Sequence, residues 1–176
     1  MNRLAFVKSL ILGSCTALLP SETEAAASTL IARQTRADDC VLAAVATALN
    51  YLTGAINYTS PGLQLAYKLK YGRDDWARDG QTSHEAQLLA SDAGFKVEFG
   101  KLGDWGSVAA LKYLAWAKRY PVIFLDGYPQ HAIVALALDG DSVSYADPQD
   151  GQIYRLQAEQ LYRLLENEKW YFTASL

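Results

Sequence analysis

QTRADDCVLAAVATALNYL, residues 34–52, places a cysteine at the head of an apolar helix, with a glutamine six residues upstream. From Val41 to Leu52 almost every position is apolar whichever helical face it falls on, the pattern of a helix buried inside a core. Gly54 is the natural stop. With Asp38 or Asp39 as the N-cap, Cys40 enters the first turn, where unpaired backbone N–H groups and the positive end of the helix dipole favour a thiolate. Such a cysteine is a candidate nucleophile. It can equally be a small apolar residue filling space in an Ala- and Val-rich helix. The two flanking aspartates oppose a thiolate by like-charge repulsion, so the helix terminus needs help from another group.

Composition narrows the classes. The 176 residues are 51% hydrophobic and 20% charged, one ordinary domain with a real core. A net charge of −3 with scattered basic residues argues against nucleic acid as a partner. No Gly-rich phosphate loop is present, and two histidines with two cysteines cannot assemble the usual zinc spacings, so neither cofactor nor metal is expected.

Residues 1–27 read as an export signal. Arg3 and Lys8 supply the positive region, Ser9 to Leu19 an apolar run of eleven residues, and Ala25-Ala26-Ala27 a cleavage site before Ser28. Eleven residues fall short of the roughly 20 that span a bilayer. Leu12-Gly13-Ser14-Cys15 offers a second route, a lipoprotein-type signal that would leave lipidated Cys15 anchored to a membrane. An apolar N-terminal helix docked on the domain is the alternative to both. Under either processing route the expectation is an exported protein, periplasmic or extracellular, with one domain over 28–176 and Cys40 as its only free thiol.

Further along, Ser60-Pro61 opens a helix by the N-cap and N1 rule and runs to about Tyr71. A polar loop over 72–81 contains Trp76. Thr82 and Glu85 form a capping box for a helix that Gly94 closes, with His84 read as a surface histidine of its first turn. The period then changes to two: Phe95, Val97 and Phe99 share one face of a strand. A helix over 107–119 follows, then a strand after Pro121, a turn at Gly127-Tyr128-Pro129, and a long apolar strand from His131. Asp139-Gly140 turns this tightly into a strand that ends at Asp147-Pro148. A strand over 153–156, a helix over 158–165 and a strand near 171–173 complete the chain. Helices dominate the first half and antiparallel strands the second, an α+β class.

A nucleophilic cysteine needs a base, a group to orient that base, and a donor for the developing oxyanion. His131 begins one strand of the hairpin and Asp147 ends its partner, so antiparallel pairing brings them together across sixteen residues of sequence. Gln34 is placed to hold its amide beside the thiol. Singly, each has a plain explanation as a strand end, a turn former or a loop residue. Together they fit one mechanism.

The segments QTRADDC, HAIVAL and ADPQDG resemble the papain-like cysteine peptidases of the bacteriocin-processing, double-glycine leader type. These show a Gln, an Asp-Cys at a helix start, a His before an apolar strand and an Asp-Pro with a nearby Gly. The resemblance runs from about Gln34 to the end and takes in DGQTSHEAQLLASDAGF. It implies a papain-like fold with a buried nucleophile helix packed on an antiparallel sheet. It also implies a Cys40 nucleophile, a His131 base, Asp147 as its orienting partner and Gln34 as oxyanion donor. Val41 departs from the glycine usual after the cysteine, and the chain reads as a stand-alone version without transporter spans. The expected activity is hydrolysis of a peptide bond in a peptide or protein substrate, or acyl transfer to an amine. The alternatives are a papain-like module that binds a peptide without cutting it and a structural envelope lipoprotein anchored through Cys15.

Overall fold

The computed structural model describes residues 29–72, 83–102, 108–125, 131–165 and 170–176. Five helices and six strands lie in these segments: α1 (Cys40–Thr53), α2 (Ser60–Tyr71), α3 (Ser83–Asp92), β1 (Lys96–Lys101), α4 (Val108–Trp116), β2 (Val122–Leu125), β3 (His131–Asp139), β4 (Ser142–Asp147), β5 (Gln152–Gln157), α5 (Ala158–Leu164) and β6 (Trp170–Ser175). The strands form one sheet in the order β1-β6-β2-β3-β4-β5, every neighbour antiparallel. This is the expected α+β class, with the papain-like arrangement of a buried N-terminal helix on an antiparallel sheet.

The uniform apolarity of α1 has the anticipated consequence: Val41 to Asn50 are all buried. Leu42, Val45 and Leu49 are fully enclosed and join Val122, Val134, Ala146 and Phe172 of the sheet in one core. Each such side chain contributes about 2 kcal/mol of burial. Val41 is buried in the same core, so the side chain standing in the usual glycine place points inward. The opposite sheet face carries Ile123, Ile133, Val143 and Tyr145 against Leu111 and Leu114 of α4 and Leu161 of α5.

The two buried polar residues of α1 fasten it to its surroundings. Asn50 donates to the carbonyls of Leu30 and Tyr58 and accepts from the amides of Asn57 and Tyr58, saturating its amide. Thr47 donates to Ala43 O and accepts from the Ala32 amide at 3.0 Å. The segment before the nucleophile and the loop leading into α2 are thereby held along the central helix. Gly54 ends α1 in the left-handed conformation, φ 68°, its N–H on Asn50 O.

Several boundaries differ from the sequence reading. Thr59, not Ser60, caps α2 by accepting from the Gly62 amide at 3.1 Å, and Ser60 is the first helical residue. The α4 helix stops at Trp116, short of Arg119. Beyond it Lys118 and Tyr120 take φ of 51° and 46°, as the chain turns sharply ahead of Pro121, which disfavours helical backbone at the residue before it. Residues 1–28, most of the 72–81 loop, Thr82 of the capping box, the His84 side chain, Ser107 and the Gly127-Tyr128-Pro129 turn lie outside the described residues.

Candidate active site

Cys40 is the first residue of α1 and is half-buried. Asp39 occupies the N-cap position yet makes no side-chain cap, which corrects the expected capping role. Its carboxylate, 2% exposed, turns back along the chain and accepts four hydrogen bonds. Three come to Oδ2, from the Thr35 amide (3.2 Å), the Thr35 hydroxyl (2.8 Å) and the Ser60 hydroxyl (2.6 Å); Oδ1 takes the Arg36 amide (3.2 Å). A cap would have satisfied one helix N–H, whereas this arrangement satisfies four donors and the charge at once. Asp38, the other flanking acid, pairs with Arg36 at 3.4 Å.

On the sheet, His131 opens β3 and Asp147 closes β4. Near the hairpin the register pairs Ala137 with Ser144, but past an irregularity between Ala135 and Ala137 it pairs Ala135 with Tyr145 and Val134 with Ala146. Leu136 is therefore one residue extra in β3, a bulge. Continued by one residue, the shifted register sets Asp147 beside Ile133, two residues from His131 at the same end of the sheet. Without the bulge Asp147 would oppose Val134, one residue further from His131. The result is a 2.7 Å hydrogen bond between His131 Nε2 and Asp147 Oδ1, with the side chains 12% and 15% exposed.

An ionised carboxylate only accepts, so Nε2 carries the proton and Nδ1 is left for the thiol. The ring is hydrogen-bonded to Cys40 as well as to Asp147. Burial pulls the His131 pKa down, but the bonds to Asp147 and then Cys40, with their charges, outweigh it and raise the value to about 9. The imidazolium is thus favoured next to the thiol at neutral pH.

Asp147 is itself held by its turn. Its Oδ1 also accepts from the Gln149 amide at 2.9 Å, and its carbonyl from Gly151 N at 2.9 Å. Gly151 has φ 70°, and a Cβ there would run into the Arg33 side chain. The next residue toward the nucleophile, Gln34, donates its amide to Pro148 O at 2.8 Å, clipping the nucleophile loop to the Asp147 turn. The Gln34 side chain gives one N–H to Arg36 O at 2.5 Å, while its Oε1 is buried without a partner. An unpaired buried acceptor costs about 1–3 kcal/mol and collects at functional sites.

The four residues singled out in the sequence therefore fall in one linked cluster. Among the described residues no group of three His, Cys, Asp or Glu could hold a metal ion. A hollow of about 420 Å³ lies elsewhere, between α2 and α3, lined by Tyr58, Leu63, Lys70, Leu89 and Asp92. None of the four cluster residues lines it, and the chemistry of the side chains is the better guide to the site.

No family model matches the sequence, and no curated protein matches it. Solved structures do. A double-glycine-motif protease from an AMS/PCAT transporter, in complex with its leader peptide, is 15% identical with a TM-score of 0.61, over 82% of this chain and 89% of that one. The peptidase domain of Streptococcus ComA, a bifunctional ABC transporter in a quorum-sensing pathway, is 16% identical with a TM-score of 0.59, over 82% and 96%. The chain has the fold of a double-glycine peptidase domain. The Streptococcus mutans ComA peptidase domain bound to a small-molecule inhibitor agrees, at 15% identity and a TM-score of 0.57, over 83% and 98%.

Sequence reasoning missed three parts of the cluster: the Leu136 bulge, the Thr35–Asp39–Ser60 network, and the clip of Gln34 onto Pro148. Only the second left a local trace, since a threonine four residues before an aspartate is a spacing over which a side chain can close a loop.

Proposed function

We propose that this protein is a cysteine peptidase working through Cys40, His131 and Asp147, with Gln34 assisting. What supports the reading most is the continuous hydrogen-bonded path Cys40–His131–Asp147, in a fold shared with double-glycine peptidase domains. The Cys40 thiolate attacks the scissile carbonyl carbon, forming the S–C bond while the carbonyl π electrons move to oxygen. The oxyanion meets the Cys40 backbone N–H, at the first helical position, and the second N–H of the Gln34 amide. Collapse of the tetrahedral species breaks the C–N bond, and the His131 imidazolium gives its proton to the leaving amine. The neutral ring then takes a proton from water, which attacks the thioester and releases the acid. An amine in place of water gives acyl transfer by the same steps.

The substrate class is a peptide or protein. One relative in fold is seen with a leader peptide, which makes extended peptides the first to try. Residues 1–27 act as an export signal, or as a lipoprotein signal ending at Cys15, and the peptidase domain over 28–176 works outside the cytoplasm; the Arg3/Lys8, apolar-run and Ala25-Ala26-Ala27 pattern supports this. Intact mass of protein from the native host reads the start of the mature chain, and Met1 retained on cytosolic material would sink it. For the chemistry, an iodoacetamide or epoxide probe should label Cys40 rapidly in the folded protein, and peptide profiling against Cys40→Ala should give cleavage only in the parent. A thiol inert until denaturation would favour a peptide-binding module instead.

A further inference from the structure

We infer that Asp39 is the positioning residue of the oxyanion site, acting on substrate through Arg36 and Gln34 without touching it. This rests on the peptidase reading above. Arg36 is held at both of its backbone polar groups: its N–H by Asp39 Oδ1 (3.2 Å), and its carbonyl by the Gln34 side-chain N–H (2.5 Å) and the Asp39 N–H (3.4 Å). The direction of the Gln34 amide is therefore set by the Arg36 carbonyl, and the Arg36 carbonyl by Asp39. Ser60 ties the same carboxylate to the start of α2 at 2.6 Å, and Ser60 is wholly buried, so the loop is referenced to the rigid helices. One buried carboxylate thus fixes the direction of the Gln34 donor relative to the thiol.

The geometry explains why an aspartate is needed there. Three donors converge on Oδ2 and one on Oδ1. In Asp39→Asn the amide oxygen can keep the three donors, which sets its NH₂ against the Arg36 N–H. The substitution therefore releases Arg36 selectively, and with it the Gln34 amide.

The test uses the full chain and a peptide found by profiling. Asp39→Asn should lower kcat about 10- to 100-fold, the effect of a displacement on the order of 1 Å in a reacting constellation, with KM little changed. Iodoacetamide should alkylate Cys40 at least as fast as in the parent, because that reaction uses no oxyanion donor and the charge removed had opposed the thiolate. Introduced into Gln34→Ala, the same change should cost almost nothing more, since it acts through the side chain already removed. Amide exchange should show Thr35 and Arg36 N–H protected in the parent and Arg36 released in Asp39→Asn. At exposed Thr35, Thr35→Val should repeat part of the loss and Thr35→Ser restore it, which keeps the test open if Asp39→Asn fails to fold. A full loss on the Gln34→Ala background, a parallel fall in alkylation, or unchanged kcat with Arg36 released would each overturn the assignment. Should the parent cleave nothing, the peptidase reading falls; unchanged Arg36 exchange in Asp39→Asn would then overturn the positioning role, and released exchange would support it.

Discussion

Replacing Asp147 by Asn removes one negative charge from the His131 environment and little else. The amide oxygen can still accept from His131 Nε2 and from the Gln149 amide, the two partners of Oδ1. What disappears is the force that keeps the buried ring charged. In the parent, burial depresses the His131 pKa and the partners Asp147 and Cys40 raise it to about 9. A pKa raised above its unfolded value of roughly 6.5 contributes stability that is fully present below pH 6.5 and lost as pH rises through the folded value. At about 1.4 kcal/mol per unit, the net contribution is on the order of 3 kcal/mol, what remains of the Asp147 and Cys40 attractions once burial is subtracted.

The variant should accordingly be less stable than the parent by on the order of 3 kcal/mol near pH 6, or about 6–12 °C in Tm for a domain of this size, with the gap closing toward pH 9 and above. Thermal melts at pH 6, 7.5 and 9.5 read the gap, and the ring-proton NMR titration reads His131 directly. Turnover should fall most at neutral pH, where the parent ring is charged and the variant ring is partly neutral. A melting difference that stays constant from pH 6 to pH 9.5, or a parent His131 titrating at an ordinary 6.5, would refute the reasoning.

The remaining expectations concern the other members of the cluster and the core beneath it. Cys40→Ala should abolish peptide cleavage while leaving the protein folded, and His131→Ala should slow alkylation of Cys40 at pH 7 several-fold, read with iodoacetamide. Gln34→Ala should leave measurable turnover, reduced about 100- to 1000-fold in kcat by loss of one oxyanion donor, as steady-state kinetics would show. Gly151→Val forces a branched residue to φ 70° and displaces Arg33, so it should cost at least about 1–2 kcal/mol and lower kcat through the Asp147 turn. Leu49→Ala, at a fully buried position of α1, should destabilise by about 2–5 kcal/mol in denaturant titration.

The helix that organises the fold was plain in the sequence because its signal is local: an all-apolar run closed by a glycine can only be a buried helix. The β3–β4 hairpin was equally plain, with a tight turn between two apolar strands. What could not be read is where one segment corrects another. Asp39 has the spacing of an N-cap, and its different role is decided by Ser60, twenty-one residues away. Ser60 in turn surrendered the expected cap of α2 to Thr59. The deepest case is Leu136. In HAIVALALD every neighbour of the extra residue is apolar, so the bulge leaves no break in the pattern, although Ala135 before it is buried and Ala137 after it is exposed. Yet a one-residue slip in register exchanges the faces of a strand. The observation that His131 and Asp147 come together was reachable from the order of strands alone, whereas the register that sets their strand ends one residue closer comes from the additional residue between Ala135 and Ala137. The register beside the contact that sets the charge of the imidazole is therefore set by a backbone irregularity five residues from His131 and eleven from Asp147 in the sequence.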